Sequence, residues 1–249
     1  MLEDRQINKS VPIPLYFQLK TLILEEIENG AYPVDTLIPT ENEISAMFSI
    51  SRTTVRQAIM ELVQEGKLYR VKSKGTYVAS PKIHQEFVNR LLSYNEEILA
   101  SGRTPSTVVL SMEVFPIPAA VAKGSGLPAD SKVICLYRKR LADGKPVVRV
   151  KTYLPLEPCG FVLKHDFSRE SLYGVLSLKE ETRIRHISRV MEAIPAEPED
   201  VRVLEMKPGM PVHFFTSVGY NAAEQVIEYS LAYYRGDQNQ FHVDIYADS

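Results

Sequence analysis

Hydrophobic positions Leu15, Leu19, Leu22, Ile23 and Ile27 recur every three or four residues, the spacing of a helix that buries one face. Asn29 and Gly30, both suited to a left-handed cap, end that run. Thr40 and Glu43 have capping-box spacing, so a second helix is predicted from residue 40 to about 48. After a tight turn at Phe48, Ser49 and Ile50, Ser51 caps a third helix. Its inner face carries Val55, Ile59 and Leu62, and Gly66 closes it. Residues 68–70 read as a short strand and 75–78 as its partner, with Val71, Lys72, Ser73 and Lys74 as a basic hairpin tip. Three helices and a hairpin in this order make residues 1–80 a winged helix-turn-helix.

The period then changes. Residues 81–91 read as a linker that opens on a proline, and 92–249 as a second domain, with a helix over 87–100 stopped by the Gly and Pro of 102–105. Alternating stretches at 107–115, 133–141, 147–154, 184–193, 211–220 and 226–234 predict strands, with short helices near 119–124, 171–178 and 198–205. Antiparallel strands with interspersed helices give an α+β fold. The pattern also echoes itself at an offset of 77 to 80 residues: helix, strand and hairpin over 118–148 return over 195–227. Two such units facing each other would enclose a central cleft.

Composition adds exclusions. The 45% hydrophobic content, with nine Phe and thirteen Tyr, is enough for packed cores. The first ten residues are polar and lack the apolar core of a signal peptide, and no run approaches a membrane span. Cys135 and Cys159 are far from any paired motif, and the five histidines show no metal-ligand spacing. A cytoplasmic protein without membrane, metal or cofactor is expected. The net charge of −2 gives no global sign of nucleic-acid binding, but residues 51–74 hold six basic side chains against Glu61 and Glu65. Arg52, Thr53, Arg56 and Gln57 fall on the outer face of the third helix, where they suit phosphates and base edges.

The stretches IPLYFQLK, LIPTENEISAMFSISRTTVRQAIMELVQEGKLYRVKSKGTYV and YYRGD resemble the GntR family of bacterial regulators, in its HutC-like branch. The resemblance implies a transcription regulator, usually a repressor, that binds a double-stranded DNA palindrome as a homodimer. Carried over by position, it implicates Thr40, Glu41, Asn42, Ser51, Arg52, Thr53, Thr54, Arg56, Lys74 and Gly75 in DNA binding. The family often has Arg where Asn42 stands, and Asn cannot donate bidentately to guanine, so the half-site is expected to differ there. Gly75 is expected to serve a wing tip that skirts the minor groove.

In the second half, Arg138 and Arg140 alternate along one strand and share a face. Two adjacent guanidiniums repel unless something negative sits between them. A buried carboxylate partner and a bound phosphate or carboxylate are both open readings. Glu228, Ser230 and Tyr234 share a face of another strand. Ser93-Tyr94 lies in the helix predicted over 87–100; if that helix begins at the pair instead, its free backbone NH groups could hold an anion, and Ser171 with Tyr173 opens another helix. This half resembles the UTRA domain, whose antiparallel sheet is akin to chorismate lyase. Relatives that sense amino-sugar phosphates imply an effector site of Ser93, Tyr94, Arg138, Arg140, Ser171, Tyr173, Glu228 and Tyr234. Those relatives carry a Glu where this chain has Val150, which argues against an amino sugar and leaves a small anionic effector such as a phosphorylated sugar. Arg235-Gly236-Asp237 is expected to end a strand with an ion pair around a turn. A lyase-like enzyme fused to a DNA-binding domain is the rival reading, but no nucleophile–base–orienter series and no Gly-rich phosphate loop is present.

Overall fold

Leu19 and Ile23 of α1 (Leu15–Glu28) are buried along the face that their spacing marks. The computed structural model describes residues 2–80, 82–85 and 94–243, which form two units, Met1–Lys82 and Ile83–Ser249. In the first unit, Thr40 caps α2 (Glu41–Phe48) with both halves of the capping box: its hydroxyl accepts from Glu43 N at 3.3 Å and its own N donates to Glu43 Oε2 at 2.7 Å. Ser49 takes a left-handed φ of 51° and turns the chain into α3 (Arg52–Gln64), which Ser51 caps by accepting from Thr54 N at 3.1 Å. Val55, Ala58, Ile59 and Leu62 of α3 complete a core with Leu19, Ile23, Ile44 and Phe48. Leu2 is also fully buried there, although the polar N-terminal segment gave no sign of it. Lys20 of α1 binds Glu61 of α3 at 3.1 Å and Glu65, which caps the C-terminal end of α3, at 2.5 Å.

The wing is the antiparallel pair β1 (Leu68–Val71) and β2 (Gly75–Val78), with Val71 opposite Gly75. Residues 36–38 run beside it, with Ile38 N donating to Thr76 O and Val78 N to Thr36 O, both at 3.0 Å.

In the second unit β3 (Ile83–Gln85) and α4 (Tyr94–Ala100) lead into β4 (Pro105–Pro116), α5 (Ala119–Ser125), β5 (Lys132–Ala142) and β6 (Lys145–Pro155). Then come α6 (Leu156–Cys159), α7 (Leu172–Leu176), β7 (His186–Pro195), α8 (Pro198–Val203), β8 (Pro211–Tyr220), β9 (Val226–Arg235) and β10 (Asn239–Phe241). The main sheet is antiparallel in the order β4-β5-β6-β9-β8-β7. This is the internal echo made physical: a strand–helix–hairpin unit occurs twice, and the two copies join along β6 and β9. Arg235 ends β9 and pairs with Asp237 at 2.8 Å around the turn.

Alternation sends Ile134, Leu136, Arg138 and Arg140 of β5 to one face of the sheet, where α4 and α7 lie. The opposite face carries α5, packed through Val121 and Ala122 against Val133, Cys135 and Tyr229, and α8, whose Asp200 and Glu199 bind the buried Arg149.

Ile83–Gln85 fall within the stretch read as a linker, yet they form a strand parallel to β10, with Ile83 opposite Asn239 and fully buried. A three-residue strand is too short to show alternation, and its partner lies at the far end of the sequence. The helix expected over 87–100 is described as Tyr94–Ala100; residues 86–93, Ser93 among them, lie outside the described residues.

Candidate functional site

On the first unit, Arg52, Thr53, Arg56 and Gln57 are exposed along one side of α3, and Asn42 is exposed at the start of α2. Thr40, Ser51 and Thr54 are engaged at helix starts, Ser51 Oγ lying 2.8 Å from Thr54 Oγ1. Lys74 is exposed on the wing loop. Glu41 lies between two arginines: its carboxylate accepts from Arg56 Nε at 3.3 Å and from Arg70 Nη2 at 2.7 Å. Gly75 departs from the expectation. It opens β2 opposite Val71 rather than forming the tip; its φ is +128°, and a Cβ there would stand 2.7 Å from Leu37 Cδ1. Backbone conformation and the Leu37 side chain account for the glycine without a groove.

The sheet face under α4 and α7 opens into a cleft of about 90 Å³. It brings together Tyr94, Arg138, Arg140, Ser171, Tyr173, Glu228 and Tyr234, which are scattered from residue 94 to residue 234. Strand geometry does the gathering. Arg138 and Arg140 are two residues apart on β5, about 7 Å along the strand, while Glu228, Ser230 and Tyr234 come from β9. Ser171 caps α7, accepting from Gly174 N at 3.4 Å, and Tyr173 is the second residue of that helix. Tyr173 donates its hydroxyl to Glu228 Oε2 at 2.9 Å. Gly219 stands opposite Glu228 on β8, where a Cβ would meet the Glu228 Cβ at 3.2 Å, so the glycine leaves room for the carboxylate.

The electrostatics are unusual for a protein interior. Arg138 is 3% exposed and its Nη2 donates to Thr152 Oγ1 at 3.3 Å, but its buried Nε has no hydrogen-bond partner among the described residues. Arg140 lies over the Tyr94 ring, 4.9 Å from its centroid. Among the described residues neither guanidinium is in ion-pair range of a carboxylate. Burial, and then the Arg140 charge beside it, push the Arg138 pKa well down. Burial also lowers that of Arg140. Burial raises the phenols of Tyr94, Tyr173 and Tyr234, so all three remain neutral donors. The buried Tyr94 hydroxyl also has no hydrogen-bond partner among the described residues.

Several lining residues escaped sequence reasoning. Arg189 on β7, Ser217 on β8 and Thr152 on β6 form one cross-strand row with Ser230, paired Arg189–Ser217, Ser217–Ser230 and Ser230–Thr152. Polar residues at inward positions of strands were the available signal, but only the register shows that they meet. Glu97 of α4 lines the cleft too. Val150 faces it opposite Arg138, so this wall is apolar where amino-sugar sensors place a carboxylate.

Comparison with known proteins agrees with both halves. Residues 15–78 match the bacterial regulatory proteins of the gntR family, and residues 100–240 match the UTRA domain. The chain is 31% identical over 235 residues to the HTH-type transcriptional repressor NagR of Bacillus subtilis, covering 94% of this chain and 96% of that protein. It is 31% identical over 202 residues to the histidine utilization repressor of Pseudomonas putida, covering 80% and 79%. The crystal structure of PhnF from Mycobacterium smegmatis superposes with a TM-score of 0.66 at 24% identity over 91% of this chain and 99% of that one, which speaks for the fold. The relatives are DNA-binding repressors, and this chain is a regulator rather than an enzyme. Its two halves, a DNA reader and a small-molecule-binding sheet domain, place it in the GntR family of bacterial transcriptional regulators, in the branch that carries a UTRA domain.

Proposed function

We propose that the protein is a repressor whose homodimer holds a palindromic operator and releases it when a small anion enters the cleft. The observation that carries this reading is the Arg138–Arg140 pair, one buried and one half-buried beside the cavity, with no carboxylate in ion-pair range among the described residues. An uncompensated buried guanidinium is expensive, and a phosphate or carboxylate accepting from it repays that cost. Tyr173, Tyr234, Ser217, Ser230 and Glu228 offer hydroxyl and carboxylate partners in the same cleft, which suits a hydroxyl-bearing body on that anion. At the Val150 position the wall is apolar and offers an amino group no acceptor. The effector is therefore a phosphorylated sugar or a related hydroxy acid. Dimerisation is required because one winged helix makes few contacts and a palindrome presents two half-sites.

The test is operator binding by the purified protein, titrated with sugar phosphates and simple organic acids. Release by one compound, lost in Arg138→Ala while operator binding persists, supports the reading. Arg56→Ala should do the reverse, losing operator binding while effector binding persists. A full panel without effect on an intact operator complex would count against the proposed anion class. Loss of both activities in a folded single variant would break the division of labour.

A further inference from the structure

Glu41 is the odd charge on the reading surface. It is acidic, it opens α2, and it sits among basic side chains that face a polyanion. Its side chain is only 19% exposed, against 59% for Arg56 and 42% for Arg70. One carboxylate thus joins three elements: α2, the recognition helix α3 through Arg56, and the wing strand β1 through Arg70. The atoms used are informative. Arg56 gives Glu41 its Nε, at 3.3 Å, and keeps both terminal nitrogens clear of it. Those terminal nitrogens are the pair able to bridge O6 and N7 of a guanine.

From this geometry we infer that Glu41 is a positioning residue for operator reading and not a DNA contact. It holds the Arg56 fork and Arg70 in the orientation that base and phosphate require, so less side-chain freedom is lost on binding. The same carboxylate repels phosphates, which lowers affinity for any duplex regardless of sequence. Its net effect is therefore on discrimination: it supports the specific complex and weakens the nonspecific one. The inference rests only on the DNA-reading half and is independent of the effector.

The probe is the duplex that the wild-type protein selects from a random library, compared with an unrelated duplex of equal length and at several salt concentrations. Glu41→Gln should weaken binding to the selected duplex roughly tenfold, the scale of one lost base contact. Its affinity for the unrelated duplex should rise, because a negative charge has gone. Glu41→Ala, with no acceptor left, should lose at least as much. Repeating the selection with Glu41→Gln should return a relaxed preference at one base pair per half-site. Equal tightening on both duplexes would reduce Glu41 to a repulsive surface charge and overturn the inference. Equal weakening on both, with a lowered melting temperature, would make it a structural residue and overturn it as well.

Discussion

Among single residues, Arg138 and Arg149 show what a buried guanidinium means in two settings. Arg149 is 2% exposed, stacks on Tyr233 with its Cζ 3.6 Å from the ring centroid, and is neutralised by Asp200, itself fully buried, and Glu199. Removing Asp200 strands that charge. Asp200→Ala should cost about 3–5 kcal/mol in urea unfolding and leave any surviving folded protein able to bind operator. Arg138 has no such partner, so Arg138→Met should leave the protein as stable as wild type or more so, because a costly buried charge becomes apolar volume. Millimolar phosphate or sugar phosphate should raise the melting temperature of the wild type, and the same variant should lose that rise. A large loss of stability in Arg138→Met would mean that its guanidinium holds the fold together. What the sequence made visible at this scale was the pairing of Arg138 and Arg140 by alternation. Arg189, Ser217 and Thr152 stayed hidden because a polar residue on a strand becomes a wall of the cleft only when register puts it beside others. Glu41 was named only through the family resemblance, as a DNA-binding residue, and its two arginine partners, 15 and 29 residues away, were not legible.

Individual elements are specified most strongly where local chemistry acts. The Thr40 box was readable because its two halves lie three residues apart, and the structure makes both bonds. Thr40→Ala should destabilise the first unit by about 1 kcal/mol, measured by thermal or denaturant unfolding. Thr40's backbone NH, and then its hydroxyl, hold the Glu43 carboxyl below its ordinary value of 4.5. A depressed folded-state pKa contributes stability that is present above the unfolded value and is lost as pH falls through the folded one. The stability gap between wild type and Glu43→Gln should therefore be full near neutrality and close on acidification below the usual carboxylate range. A gap that is constant down to strongly acid pH would show that the charge of Glu43 is irrelevant to the cap. The six long strands were legible through alternation over seven or more residues each, whereas β3 and β10, three residues apiece, were not. The consequence is more than clerical: Ile83 of β3 packs in the same cluster as Tyr94, Val148 and Tyr234, so the chain's entry into the second unit shares a core with the cleft.

Across the whole molecule, the internal echo was the most informative feature of the sequence. It anticipated two helix–strand–hairpin units; the structure adds a strand before each helix, and the sheet order shows how the units create a shared cleft, with β6 and β9 in the middle. It could not say which face the cleft occupies, because that depends on where α4, α7, α5 and α8 pack. Under the proposed function, the shared core around Ile83 would be a physical route for gating. A ligand that orders Tyr94 and Tyr234 would also act on the cluster holding the segment that follows the DNA reader. Such coupling is reciprocal: whatever factor the effector takes from operator affinity, the operator must take from effector affinity.

That reciprocity gives the most direct measurement. With the effector found in the panel titration, its affinity should be determined for the free protein and for the operator complex, alongside operator affinity with and without effector. The two ratios should agree and lie well above one, on the order of 5–150-fold, and both should collapse to one in Arg138→Ala. Effector that binds through Arg138 yet leaves operator affinity unchanged would contradict the account, since the cleft would then be a binding site that gates nothing.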